Sequence, residues 1–223
     1  MPTEALPIKD MALGWSDCAL NRVAVIAALV LLLLALNDII RLMPMLLRCV
    51  MFWKSNITLE HSLSQARTRN NIAAVTILAF SILADRWGLI APSFKTALPQ
   101  LWQLPVTLGL VLGYFLVRRL AYQASRFRLP NNDYCKTLRS SVYNHQIILT
   151  LLMLVTALPL AAFKVPGDIV KLVLLIEVAI VTLIHYVRTE QILASRCSII
   201  ITFLYLCALE ILPLGILVFV CTL

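Results

Sequence analysis

The chain has 223 residues, 61% of them hydrophobic and 13% charged, with a net charge of +8. Soluble domains carry roughly 45–50% apolar and about 25% charged residues, so this composition excludes an ordinary water-dissolved globule and a solvated, disordered chain. The basic excess would point to nucleic acid in a soluble protein; here it reads as loops held on the cytoplasmic side of a membrane, and no nucleic-acid partner is expected.

A membrane helix needs about 20 mainly apolar residues. The first run covers about 23–43, with the core VAVIAALVLLLLAL, and Pro44 is expected to stop it. It starts too late and lacks the small-residue cleavage site of a signal peptide, so it reads as a span. Met45 to Trp53 is apolar but short and contains Arg48; an interfacial segment is expected, with Trp53 and Lys54 at headgroup level. The second run, 72–92, carries Asp85 and Arg86, which as neighbours on one helix point different ways and imply partners from other helices. The third, 101–117, is closed by Arg118 and Arg119 and contains Gly109 and Gly113, whose spacing lets helix backbones approach closely. The fourth covers 146–163, with Pro159 near its end, and the fifth 168–187. The sixth, 198–220, is interrupted by Glu210 and Pro213.

None of these runs shows the apolar/polar alternation of a membrane barrel, and open sheets cannot cross lipid with unpaired edges. The expectation is an all-α polytopic bundle of about six transmembrane helices in one domain, 1–223. Counted between spans, thirteen Lys and Arg fall on one side and six on the other. This places both termini outside, in the periplasm, and the basic loops 44–71 and 118–142 in the cytoplasm. Those loops are topology anchors, or contact surfaces for a partner or for anionic headgroups. Asn56-Ile57-Thr58 matches a glycosylation acceptor but falls on the inner side and is set aside.

An ionisable group at the bilayer centre costs about 2.5–3.5 kcal/mol on insertion scales and is kept for a reason. Glu177 and Glu210 sit near the middle of the fifth and sixth runs, at similar depth. Face to face, they could form a proton relay or cation site. Alternatively, each is a neutral glutamate bonded to a hydroxyl, for which Thr182, Thr202 and Tyr205 are available. Pro213 frees a carbonyl one turn earlier and can unwind the Glu210 region, as in the broken helices of transporters. The candidate intramembrane polar site is thus Glu177, Glu210, His185, Tyr205 and Pro213. His185 lies two turns beyond Glu177 and could extend a proton path. Asp38 and Arg41, three apart on one face, form an inner-face polar pair, and His145 enters the fourth helix nearby.

The six cysteines form no CxxC pair, and no Cys/His cluster has ligand spacing, so no metal, cofactor or disulfide framework is expected. P-loop, HExxH and GxSxG are absent from the sequence, and no enzymatic site is expected.

The segment LYLCALEILPL, with Tyr205, Leu206, Cys207, Glu210 and Pro213, resembles the closing helix of an uncharacterised Bacteroidota integral-membrane family known only as a domain of unknown function. The resemblance implies a bacterial inner membrane and gives no activity. Three functions are open at this point. A non-enzymatic assembly or partner-binding subunit fits the small size, basic loops and glycine pair. A small permease or proton-coupled carrier fits the two carboxylates and Pro213. A ligand-binding subunit of a modular uptake system fits size and helix number.

Overall fold

The leucine- and alanine-rich opening run forms α1, Ala19–Met51, in a computed structural model that describes residues 15, 17–96, 98–125, 132–195 and 199–222. Helix α1 does not stop at Pro44; the proline lies inside it. Proline removes one backbone bond, but Leu46 and Cys49 beyond it are fully buried against Leu59, Ile72, Ala73 and Ile147, and that packing carries the helix another two turns. The expected interfacial segment is therefore the last part of α1. The break comes at Phe52, in extended conformation, followed by α2, Trp53–His61, and after a second extended residue, Ser62, by α3, Leu63–Arg86.

Helix α3 is central and packs on α1, on α5 (Gln100–Ser125) and on α6 (Asn132–Ala162), while the short α4, Ser93–Thr96, lies between α3 and α5 in sequence. Its small residues Ala73, Thr76, Ala79, Ser81 and Ala84 are all buried and let neighbouring helices come close. Thr76 and Ser81 turn their hydroxyls back onto the carbonyls of Ala73 and Ile77, which satisfies them locally. Helix α3 ends at Gly88 in the left-handed region: Leu89 N–H reaches the Ala84 carbonyl at 2.9 Å and Gly88 N–H the Asp85 carbonyl at 3.3 Å, the paired bonds of a Schellman turn.

The most extensive packing among the described elements is between α6 and α7, Gly167–Ala194. The turn joining them is short, so the two run antiparallel. After α7 come α8, Ile199–Leu206, a π-helical turn, Cys207–Ile211, and α9, Leu212–Thr222. Pro213 cannot donate a backbone bond, and the strain is taken up by widening one turn: Leu212 N–H bonds to Cys207 O, five residues back. The region expected to unwind is thus a π-turn inside a continuous helical path.

Among the described residues every regular element is helical. Four helices among the described residues are long and apolar enough to cross a membrane: Ala19–Met51, Gln100–Gln123, Ser140–Ala162 and Thr202–Val220. The expected runs 72–92 and 168–187 correspond to α3 and α7, which carry the buried polar residues Asp85, Glu177, His185 and Thr189. Helix α1 is peripheral, with a narrow buried stripe and Leu29, Leu33, Leu34 and Leu36 facing outward.

The two basic segments are largely helical rather than loops. Residues 63–71 begin α3, and Arg69 is 2% exposed. Arg118 and Tyr122 belong to α5, and α6 starts at Asn132, well before 146. Residues 126–131 of the second basic segment lie outside the described residues. Asn56 of the discarded acceptor pattern is buried; its side chain donates to Cys49 O and accepts from Asn144 Nδ2 at 2.7 Å. Arg188 of α7 donates to Val50 O at 2.7 Å, supplying one of the carbonyls at the end of α1 with a cationic partner.

Candidate functional site

Helix α5 ends in a polar stripe: Tyr114, Arg118 and Tyr122 recur every four residues and share one face. Arg118 lies 2% exposed and Tyr122 3% exposed, against the π-turn and α7. The π-turn presents Glu210, 0% exposed, to that stripe. Arg118 Nη2 pairs with Glu210 Oε1, and Tyr122 Oη donates to the same oxygen at 2.6 Å. His185 Nε2 of α7 lies 3.3 Å from the other carboxylate oxygen and 3.0 Å from Arg118 Nη2. The Arg118 guanidinium also lies 5.3 Å from the centre of the Tyr122 ring.

The cluster continues into α6. His185 Nδ1 is 3.2 Å from His145 Nδ1, and His145 Nδ1 is 2.9 Å from Ser141 O. A carbonyl only accepts, so His145 Nδ1 carries a proton toward Ser141. His185 Nδ1 faces that same N–H, and its Nε2 sits between the Glu210 carboxylate, which only accepts, and Arg118 Nη2, which only donates. In this arrangement both imidazoles are neutral, and the one cation and one anion cancel. Burying two charges is expensive unless the geometry is good and the remaining lone pairs are filled; here the carboxylate accepts from Arg118 and Tyr122, with His185 Nε2 beside its second oxygen.

A second buried pair closes the opposite end of the bundle. Asp85, near the end of α3, accepts from Trp15 Nε1 at 2.6 Å and from Thr107 Oγ1 of α5 at 2.7 Å, and it pairs with Lys95 of α4 at 2.6 Å. Lys95 Nζ also donates to Ile90 O at 3.0 Å. Arg86 does not join this pair: its guanidinium lies 5.6 Å from the ring centres of Trp15 and Trp87.

Of the residues singled out in the sequence, the fold brings Glu210 and His185 into direct contact. Glu177 is apart from them. It is 9% exposed on α7, beside Thr156, with its Oε2 unpartnered among the described residues, and no hydrogen bond joins it to Glu210 or His185. Equal depth on adjacent helices left the rotation about each helix axis undetermined. Tyr205 is half-buried against Tyr122 and Leu209, and Pro213 is buried one turn after Glu210. Asp38 and Arg41 lie on the exposed side of α1. No ion pair joins them among the described residues. Gly109 is exposed and Gly113 half-buried, and a Cβ added at either meets nothing within 4 Å, so neither glycine is a point of close approach inside the bundle.

Arg118 and Tyr122 were not anticipated as site residues. Two arginines directly after an apolar run read as a stop signal, whereas the four-residue repeat Tyr114–Arg118–Tyr122 was the sign that this helix continues with a functional face.

Apolar helices surrounding two buried ion pairs define a helical membrane protein. The chain belongs to the DUF4271 family, a domain of unknown function, whose model matches residues 23–220. Neither the curated proteins nor the solved structures contain a match.

Proposed function

We propose that the protein is a small proton-coupled carrier of the bacterial inner membrane, without enzymatic activity. In this reading six helical paths cross the bilayer: α1, α3, α5, α6, α7 and the α8–α9 path through the π-turn. The end holding Arg48, Lys54, Arg67 and Arg119 faces the cytoplasm, and both termini face the periplasm. One observation carries the proposal: a carboxylate at a π-turn, fully buried, holds an arginine and leads through His185 to His145 on three different helices. Ionisable side chains at membrane depth mark ion and proton pathways, and π-turns concentrate at functional sites. Protonating Glu210 removes the charge that holds Arg118, so one proton alters contacts across α5, α7 and the π-turn.

The test is purified protein in liposomes loaded with a pH-sensitive dye and given inward gradients of amino acids, sugars, carboxylates and inorganic anions in turn. At least one gradient should acidify the lumen, and Glu210→Gln should slow that acidification tenfold or more. If no solute drives protons, or if Glu210→Gln behaves as the parent protein, the carrier reading fails.

A second reading, an assembly or partner-binding subunit, is favoured by Gly109 and Gly113. Glycines four apart on an apolar helix are a packing device, and here no other helix among the described residues comes within 4 Å of a Cβ added at either. Gly109→Leu is then expected to abolish a complex seen on native gels in mild detergent while leaving the melting temperature within a few degrees. An unchanged migration would remove this reading.

A further inference from the structure

Around Arg118 the buried cluster has a surplus of donors. A guanidinium carries five N–H groups. Arg118 Nη2 faces Glu210 and His185 Nε2, but its Nε and Nη1 are buried with no partner among the described residues. The same holds for the hydroxyls of Tyr186 and Thr189 on α7 and of Thr202 on α8. An unpaired buried donor costs about 1–3 kcal/mol, and several on neighbouring elements are tolerated where something that accepts hydrogen bonds can occupy the site. What is missing around Arg118 is acceptors, so the complementary occupant is acceptor-rich.

Charge fixes its class further. The cluster as drawn is neutral, Arg118 against Glu210. The other titratable groups facing Glu210 are Tyr114 and Tyr122 on α5 and His185 and Tyr186 on α7, with His145 on α6 behind His185. None supplies a second fixed charge in the arrangement described above. An anion entering alone would leave a net negative charge in a low-dielectric interior, which is prohibitive. An anion entering with one proton keeps the site neutral: the proton adds to the Glu210 carboxylate, the Arg118–Glu210 pair opens, and the anion takes the guanidinium.

We propose that Arg118 is the binding site of a small monovalent anion, taken up one-for-one with a proton that resides on Glu210. The proposal rests on the carrier reading for its purpose and names the class of cargo. Tyr186, which feels the Arg118 charge, is the hydroxyl donor available to it, and His185–His145 is the branch through which the proton reaches the carboxylate.

The experiment is binding rather than flux, so that it stands or falls separately from transport. Purified protein in mild detergent, in chloride-free and weakly buffered solution, is titrated with sodium nitrate, a planar monoanion matched to a guanidinium. Binding should consume one proton per nitrate, read as a rise in pH. Affinity should strengthen about tenfold per unit of acidification while the free carboxylate is ionised. In Glu210→Gln the arginine has lost its carboxylate, so nitrate should bind without proton uptake, independently of pH, and should raise the melting temperature more than in the parent. The double variant Arg118→Gln/Glu210→Gln, which buries no ion, should fold and not respond to nitrate. Absence of a nitrate response in both parent and Glu210→Gln overturns the proposal, as does binding without proton uptake in the parent or a full response in the double variant. Nitrate binding without any flux would instead remove the carrier reading and leave the site standing.

Discussion

Arg118→Met should lower the unfolding free energy by about 3–5 kcal/mol, because it strands the Glu210 carboxylate in a buried position. The carboxylate would keep Tyr122 and His185 as donors, but neither carries the compensating charge. Replacing both partners, Arg118→Met with Glu210→Met, should recover most of that loss or exceed the parent. Apolar side chains of similar volume need no desolvation, and exchanges of this kind are often neutral or stabilising by about 1–4 kcal/mol. The measurement is reversible unfolding by a denaturing detergent in mixed micelles, for the parent, both single variants and the double. A strong non-additivity is the expected signature, since the two residues share one ion pair. Additive losses in the double variant would mean that Arg118 and Glu210 stabilise the protein independently, against the geometry of the site.

That energetic profile, expensive to break and cheap to delete, is general to buried ion pairs and is expected of Asp85–Lys95 as well. What distinguishes the Arg118 pair is its unpartnered guanidinium donors among the described residues.

Parts of this arrangement were legible in the sequence. The apolar runs at 23–43, 101–117, 146–163 and 198–220 foretold helices because bilayer thickness imposes a length that few other contexts require. Glu210 stood out because an acid inside LYLCALEILPL has no solvent to face. Pro44 was misread because a local rule about one missing hydrogen bond was outweighed by the burial of Leu46 and Cys49 further along. Arg118 was misread for a related reason. Charge after an apolar run is normally solvated, and only the three-dimensional approach of the π-turn shows that this one is not. The separation of Glu177 from Glu210 was not legible at all: depth follows from counting residues, whereas helix rotation follows from packing.

The other large effect is expected at the opposite end of the bundle. Asp85→Leu removes the acceptor shared by Trp15, Thr107 and Lys95. Thr107 keeps its bond to Gln103 O, so its loss is small. The Lys95 ammonium, with its side chain 6% exposed, would keep only the Ile90 carbonyl, and the Trp15 indole would lose its acceptor. A buried charge left without its counter-ion costs about 3–5 kcal/mol, and the same unfolding assay should show it. Lys95→Met should cost a similar amount, because the Trp15 and Thr107 donors that remain carry no compensating charge for the carboxylate. Arg86→Met, one residue along but exposed and engaged only with aromatic faces, should cost about 0.5–1 kcal/mol. Equal losses for Asp85 and Arg86 would contradict the partner assignment. Both buried pairs lean on α5, through Thr107 at one end and Arg118 at the other, and they differ in one respect. The Asp85 pair fills both carboxylate oxygens with partners from α4, α5 and the N-terminal segment, and the Lys95 ammonium also reaches a backbone carbonyl. The Arg118 pair leaves donors unfilled. In the proposed reading the first holds α5 in place, and the second changes its partners around it.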